Sequence, residues 1–193
     1  MVIGILGVQG AVREHEHILR TLDVETVVVK SVDDLDGIDG LVLPGGESTT
    51  MRRLIDRYGL LDVLRSKVTT LPMFGTCAGM ILLASELSEG PAHLQAIPMT
   101  VRRNAFGRQV DSFETMLAVE GVGQDVEAIF IRAPFVEQIG NETRVLSQVS
   151  GAVVAVETNL HLACSFHPEL TSDQRMHQYF LEKIKQHQAI SVG

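Results

Sequence analysis

The sequence predicts a three-layer α/β fold, with a mixed, mostly parallel sheet flanked by helices. Three observations predict it. The first half alternates short β-branched runs with stretches of helical spacing, which is how parallel strands joined by crossover helices read. Between Ile97 and Val119 the hydrophobic period turns towards two, and further strand candidates joined by a hairpin signal follow, so antiparallel strands are expected in the later part. At 193 residues and 45% apolar content the chain can bury one substantial core, and no repeat, low-complexity tract or linker divides it. A single domain spanning 1–193 is expected.

Val2 to Val8 reads as the first strand, and Ala11 to Leu22 as its helix, with Ile18, Leu19 and Leu22 on the apolar face. Thr26 to Lys30 and Gly40 to Leu43 are the next strands, the latter ended by Pro44-Gly45-Gly46. Ser48 to Val68 has helical spacing in two segments, Met51, Leu54 and Ile55 in one and Leu60, Leu61 and Leu64 in the other, broken at Gly59. Pro72 to Phe74 leads into a turn, followed by a helix over Met80 to Ala84. Strands are expected within Ile97 to Val119, at Ala128 to Ile131, at Arg144 to Val149 and at Ala152 to Glu157. Val149-Ser150-Gly151 marks a hairpin between the last two. Ser172 to His187 reads as the closing helix, with Ser172 as its N-cap.

Composition excludes several function classes. A net charge of -8 disfavours nucleic acid or an anionic membrane surface as the main partner, and Arg52-Arg53 and Arg102-Arg103 are too isolated to change that. The apolar stretches fall short of a membrane span, and Met1 to Val8 lacks the basic region and cleavage site of a secretory signal, so a cytoplasmic protein is expected. Two cysteines make no disulfide scaffold and no paired-cysteine metal motif, and Cys164 reads as a core filler. The glycines at 4, 7 and 10 do not fit a dinucleotide fingerprint. His15-Glu16-His17 looks metal-like, but alternate residues on a helix face different ways. A solvated helix surface is expected there, with Glu14 or His15 near a partner, and no metal is called for.

The most informative segment is Phe74-Gly75-Thr76-Cys77-Ala78-Gly79, which sets a cysteine between a short strand and a helix. Glycines two before and two after it permit a sharp, strained elbow with the thiol exposed at its tip. A helix N-terminus there would favour a thiolate and offer amides to an oxyanion. Cys77 alone is equally readable as a small buried hydrophobe. Phe166-His167-Pro168-Glu169 supplies what a nucleophile needs. In an extended segment His167 and Glu169 point to the same side, so the carboxylate can orient the imidazole and the imidazole can handle the proton. A third element, Gly45-Gly46-Glu47-Ser48, can bring backbone amides close to a substrate oxygen, or serve as an ordinary strand-to-helix turn capped by Ser48 or Thr49.

Gly75-Thr76-Cys77-Ala78-Gly79, Ser165-Phe166-His167-Pro168-Glu169 and Pro44-Gly45-Gly46 resemble the class I glutamine amidotransferases, whose triad is Cys, His and Glu in this order. Within that class the chain is similar to the glutaminase subunits of pyridoxal 5′-phosphate synthases. Leu6 to His15, Gly45 to Arg52 and Arg103 to Phe113 carry that closer match. The resemblance implies a flavodoxin-like fold, no cofactor, and hydrolysis of L-glutamine to glutamate and ammonia through a thioester on Cys77. It implies His167 as general acid and base, Glu169 as its orienter, and Gly45, Gly46 and Ala78 around the oxyanion. Gly46, Glu47, Ser48, Arg103, Ile131 and Arg132 correspond to the glutamine-binding set. Ala105 stands where many relatives have serine. The implied partner is a synthase subunit in a large heteromeric complex that receives the ammonia. The resemblance also implies a weakly active free subunit, with docking near Gln9-Gly10 rearranging the oxyanion turn. The other readings are the glutaminase of imidazole glycerol phosphate synthase, a cysteine hydrolase of similar elbow, and a scaffolding subunit without turnover.

Overall fold

The computed structural model describes residues 1–103 and 112–191. The first half alternates as expected: β1 (Val2–Leu6), α1 (Val12–Thr21), β2 (Glu25–Val29), β3 (Gly40–Leu43), α2 (Ser48–Arg57), α3 (Leu61–Lys67), β4 (Met73–Thr76) and α4 (Ala78–Leu83). The break between α2 and α3 falls at Gly59, whose φ of +67° is the left-handed backbone that lets a helix stop without steric cost. The second half is mostly antiparallel: β5 (Ala84–Leu87), β6 (Ile97–Arg102), β7 (Ser112–Val119), β8 (Gly123–Ile131), β9 (Phe135–Ile139), β10 (Arg144–Val149), β11 (Ala152–Glu157) and β12 (Leu162–Cys164), before α5 (Arg175–Ser191). Ser150 and Gly151 have φ of +50° and +82°, the paired positive values of a tight turn matched to strand twist, and β10 and β11 pair across it.

The main sheet runs β2-β1-β3-β4-β12-β11-β9-β6-β5, with β10 on β11, and β7-β8 form a separate ribbon. Pairing is parallel from β2 through β12, antiparallel from β12 through β6, and parallel again between β6 and β5. Two apolar cores lie against its faces. One joins Leu43 and Met73 to Met51, Leu64 and Met80 of the helices α2, α3 and α4. The other joins Ile5 and Phe74 to Leu19 of α1, Phe180 and Ile184 of α5, and Leu117 and Val126 of the ribbon. Each wholly buried Leu, Ile or Phe contributes roughly 1.5–3 kcal/mol, so the layers are held mainly by these faces.

Several elements differ from expectation. The first strand stops at Leu6, and α4 starts at Ala78, directly after the cysteine. β12 has three residues, all buried, too short to show a period. The closing helix begins at Arg175, and Asp173, not Ser172, accepts the Arg175 N–H at 3.0 Å. Its carboxylate also takes the Glu127 N–H at 3.2 Å, which ties the helix start to β8 and outbids a serine hydroxyl. Among the described residues no helix is long and apolar enough to cross a membrane. Asn104 to Asp111, most of one run that carried the closer resemblance, lie outside the described residues, Ala105 with them.

The topology fixes where chemistry can occur. β1, β3, β4 and β12 are parallel neighbours, so their carboxyl ends open on one edge of the sheet. Loops leaving those ends in open α/β sheets are where ligands bind. Here they are the loops with Gln9 and Gly10, with Gly45 to Glu47, with Cys77, and with Ser165 to His167.

Candidate active site

Cys77 sits at the corner between β4 and α4 with φ +49° and ψ -103°, a strained backbone for any residue with a side chain. The flanking glycines make the corner possible. A Cβ on Gly75 would stand 2.5 Å from the Gly79 backbone, and one on Gly79 would collide with the Leu43 carbonyl oxygen. The expectation of an exposed thiol needs correction: Cys77 is buried and forms part of a cleft lining. Its own N–H donates to the Cys164 carbonyl at 2.9 Å, so it is not free for a ligand. Ala78, as first residue of α4, has an N–H with no intrahelical acceptor. Cys164 lies in the core, where burial pushes its thiol well up.

His167 lines the same cleft as Cys77, and its Nδ1 lies 2.7 Å from Glu169 Oε1. Pro168 to Leu170 form a 3-10 turn and not the extended segment expected, so the i, i+2 pair meets by tight winding. His167 N–H donates to the Ile129 carbonyl at 2.8 Å, which moors the turn to the ribbon. Burial opposes a charge on His167, yet the sulfur and carboxylate outweigh it and raise the imidazole to about 10. Burial likewise disfavours charge on Glu169, but the neighbouring His15 and His167 bring its net value below the usual carboxylate range.

Gly45 packs closely against the His167 ring, and its carbonyl accepts the Ala11 N–H at 3.0 Å. Gln9 Oε1 accepts the Glu47 N–H at 2.9 Å, which joins the loop after β1 to the turn after β3. The cap of α2 is neither Ser48 nor Thr49 but Glu47, whose carboxylate accepts the N–H groups of Thr49 at 2.9 Å and Thr50 at 2.8 Å. The Thr50 hydroxyl, first among these bonds, and the amides hold Glu47 down at about 2.

These groups face a cleft of about 640 Å³ lined by Gly45, Gly46, Glu47, Ser48, Cys77, Ala78, Arg103, Ile131, Arg132 and His167, with Gln9, Gly10 and Leu170 at its edge. Glu169 stands behind His167 and outside the lining. Arg103 reaches Thr49 Oγ1 at 3.5 Å, and Arg132 takes φ +44° at the end of β8. The Ile131 carbonyl oxygen lies 3.9 Å from the Cys77 sulfur. The structure thus brings every residue of the expected set to one place. A second groove of about 700 Å³ is lined by Arg144, Glu157, Tyr179 and Lys183. Within it Glu157 forms ion pairs with Arg144 and Lys183.

One residue departs from the expectation. His15 is not on a solvated surface but wholly buried, 3.6 Å from Glu169 Oε2 and bonded to Thr76 and His177. The signal was available, because His15 precedes Ile18, Leu19 and Leu22 by three, four and seven residues and so shares their apolar face.

Comparison with known proteins assigns the chain to a family. Residues 5–186 match the model of the SNO glutamine amidotransferase family. The chain is 74% identical to the pyridoxal 5′-phosphate synthase subunit PdxT of Exiguobacterium sibiricum over 192 residues, covering all of both chains. It is 52% identical to the subunit of the same name from Halalkalibacterium halodurans, covering 98% of this chain and 97% of that one. A glutamine amidotransferase known from a crystal structure superposes with a TM-score of 0.91 at 44% identity, over 96% of this chain and all of the other. The chain therefore belongs to the SNO glutamine amidotransferase family.

Proposed function

We propose that this chain is the glutaminase subunit of a pyridoxal 5′-phosphate synthase, a single domain over 1–193 that hydrolyses L-glutamine and hands ammonia to a synthase subunit. The observation that carries the reading is the buried His167, held at Nδ1 by Glu169 Oε1 at 2.7 Å and sharing with Cys77 the lining of a cleft of about 640 Å³.

The thiolate of Cys77 attacks the side-chain amide carbon of glutamine, and the carbonyl π electrons move onto oxygen. The N–H groups of Ala78 and the Gly45-Gly46 turn hold that oxyanion, while the Cys77 N–H, committed to Cys164, takes no part. His167 gives its proton to the amide nitrogen, the C–N bond breaks, and ammonia leaves a thioester behind. Water, deprotonated by the now neutral His167, attacks the thioester, and glutamate departs as the thiolate–imidazolium pair returns. Glu169 keeps the imidazole in the tautomer with Nδ1–H towards Oε1.

Gly46, Glu47, Ser48, Arg103, Ile131 and Arg132 form the glutamine-binding set of this proposal, supported by their shared place in the cleft. An arginine pair suits a substrate whose carboxylate must be held while its far end reacts. Ammonia released into water would mostly become ammonium, which has no lone pair for attack, so a docked acceptor is needed. The partner is the synthase subunit, in a heteromeric complex. The bond from Gln9 to Glu47 and that from Ala11 to Gly45 support a docking surface at Gln9-Gly10 that acts on the oxyanion turn. The proposed compartment is the cytoplasm, supported by two free thiols, one of them needed reduced.

The test is glutamate release from glutamine with and without the synthase subunit, for wild type and Cys77→Ala. Release that depends on the partner and vanishes in the variant is expected. Equal turnover with and without the synthase would refute the coupling, and activity in Cys77→Ala would refute the mechanism.

A further inference from the structure

Glu169 is buried, and its two carboxylate oxygens meet different surroundings. Oε1 accepts from His167, whereas Oε2 has no hydrogen-bond partner among the described residues. Leaving a buried carboxylate oxygen undirected is costly and allows the group to rotate, which would break the bond to His167. The nitrogen that approaches it is Nε2 of His15 on α1, 3.6 Å away, and the same nitrogen lies 3.1 Å from the Thr76 hydroxyl. On the far side, His15 Nδ1 lies 2.8 Å from Nε2 of His177 on α5.

Two independent arguments place the protons. Among the described residues His177 Nδ1 has no hydrogen-bond partner, and a buried orphan N–H is rarer and costlier than an unused lone pair, so the His177 proton belongs on Nε2. That proton faces His15 Nδ1, which must then accept, leaving the His15 proton on Nε2. Separately, a lone pair on His15 Nε2 would face the carboxylate oxygen and repel it in a medium of low dielectric, whereas an N–H attracts it. Both give the same tautomers. Burial, the largest influence on each ring, pushes His15 and His177 below the ordinary histidine value. His15 therefore offers Glu169 a dipole and not a full charge.

We infer that His15 and His177 form a positioning relay beneath the triad, in which His177 fixes the tautomer of His15 and His15 aims its Nε2–H at Glu169 Oε2 and Thr76 Oγ1. The inference rests on the proposed triad and extends it by two residues that touch no substrate. With both oxygens addressed, the Glu169 carboxylate has one orientation, and so has the imidazole it holds. Thr76 directly precedes Cys77, so the same N–H ties the orienting carboxylate to the strand that carries the nucleophile. The relay also spans α1, β4 and α5, which explains two histidines in the core between helices and sheet.

The experiment measures kcat and KM for glutamine hydrolysis in the presence of the synthase subunit, for wild type, His15→Leu, His15→Gln and His177→Phe. His15→Leu keeps bulk but removes the donor, and a loss of about tenfold or more in kcat is expected, with KM within about twofold of wild type. In His15→Gln the side-chain amide can present an N–H near the place of Nε2, and most of kcat should return. His177→Phe touches no triad residue and keeps an aromatic ring against Phe74, so a smaller loss of kcat at unchanged KM is expected. Wild-type kcat in His15→Leu would overturn the inference, as would equal losses in the Leu and Gln variants, which a merely structural role would produce. Should His15→Leu fail to fold, full kcat in His177→Phe would overturn it in turn. An inactive wild type would overturn the triad reading, and this one with it.

Discussion

Gly45 faces the imidazole of His167 with no room for a side chain: a Cβ there would stand 2.7 Å from Nδ1 and closer still to Cε1, with Glu169 Oε1 at 3.2 Å. The glycine at this position clears space for the imidazole, apart from anything its peptide does for an oxyanion. Gly45→Ala must displace the ring or the turn. A misplacement of about 1 Å costs on the order of a hundredfold, so kcat should fall by about that factor while the fold survives. Steady-state turnover beside a thermal melt checks this; unchanged kcat would show that the ring can yield without harm.

The elbow stores backbone strain that can be measured apart from chemistry. Cys77→Ala and Cys77→Gly both lack the sulfur, but only glycine adopts φ +49° and ψ -103° easily. Cys77→Gly should unfold in urea at a stability about 1 kcal/mol above Cys77→Ala, even though glycine elsewhere weakens a chain. A less stable glycine variant would mean the corner is relaxed.

The proposed mechanism needs a protonated His167, so the titration of this residue should set the alkaline limit of activity. Its value is raised to about 10, so hydrolysis should decline as the imidazolium needed to protonate the leaving nitrogen is lost near that pH. Glu169 contributes to the rise, so Glu169→Gln should move the alkaline limb to lower pH, along with reducing kcat. For stability the sign is the same. The gain from binding this proton is complete below the ordinary value of 6.5 and is lost as pH rises through about 10. A pH–rate profile of both proteins gives the answer, and coincident alkaline limbs would contradict it.

Glu47 caps α2 through Thr49 and Thr50 and is held at about 2, below its ordinary 4.5. Glu47→Ala should cost about 1 kcal/mol of stability at neutral pH. A lowered carboxylate value contributes above 4.5 and fades as pH falls towards 2, so the difference between wild type and variant should shrink over that window. Melts at several pH values decide it; a gap that persists at acid pH would assign the loss to something other than the ionised cap.

Local rules made much of this protein legible. Glycines at 75 and 79 around a cysteine announced the elbow, the His-Pro-Glu run announced an imidazole paired with a carboxylate, and Ser150-Gly151 announced its hairpin, because each depends on residues adjacent in the chain. What stayed hidden depends on distant contacts. β12 is three residues long and is a strand only because β4 and β11 flank it. His167 and Glu169 meet through a 3-10 turn that no period foretells. His15 lies 154 positions from Glu169, yet they are 3.6 Å apart, since α1 returns beneath the carboxyl end of β4. By itself the sequence determined the corner, the residue types and the alternation of elements, all set by backbone sterics and hydrophobic period. Only the tertiary structure decided which nitrogen faces which oxygen, because burial and hydrogen-bond direction are properties of the packed chain.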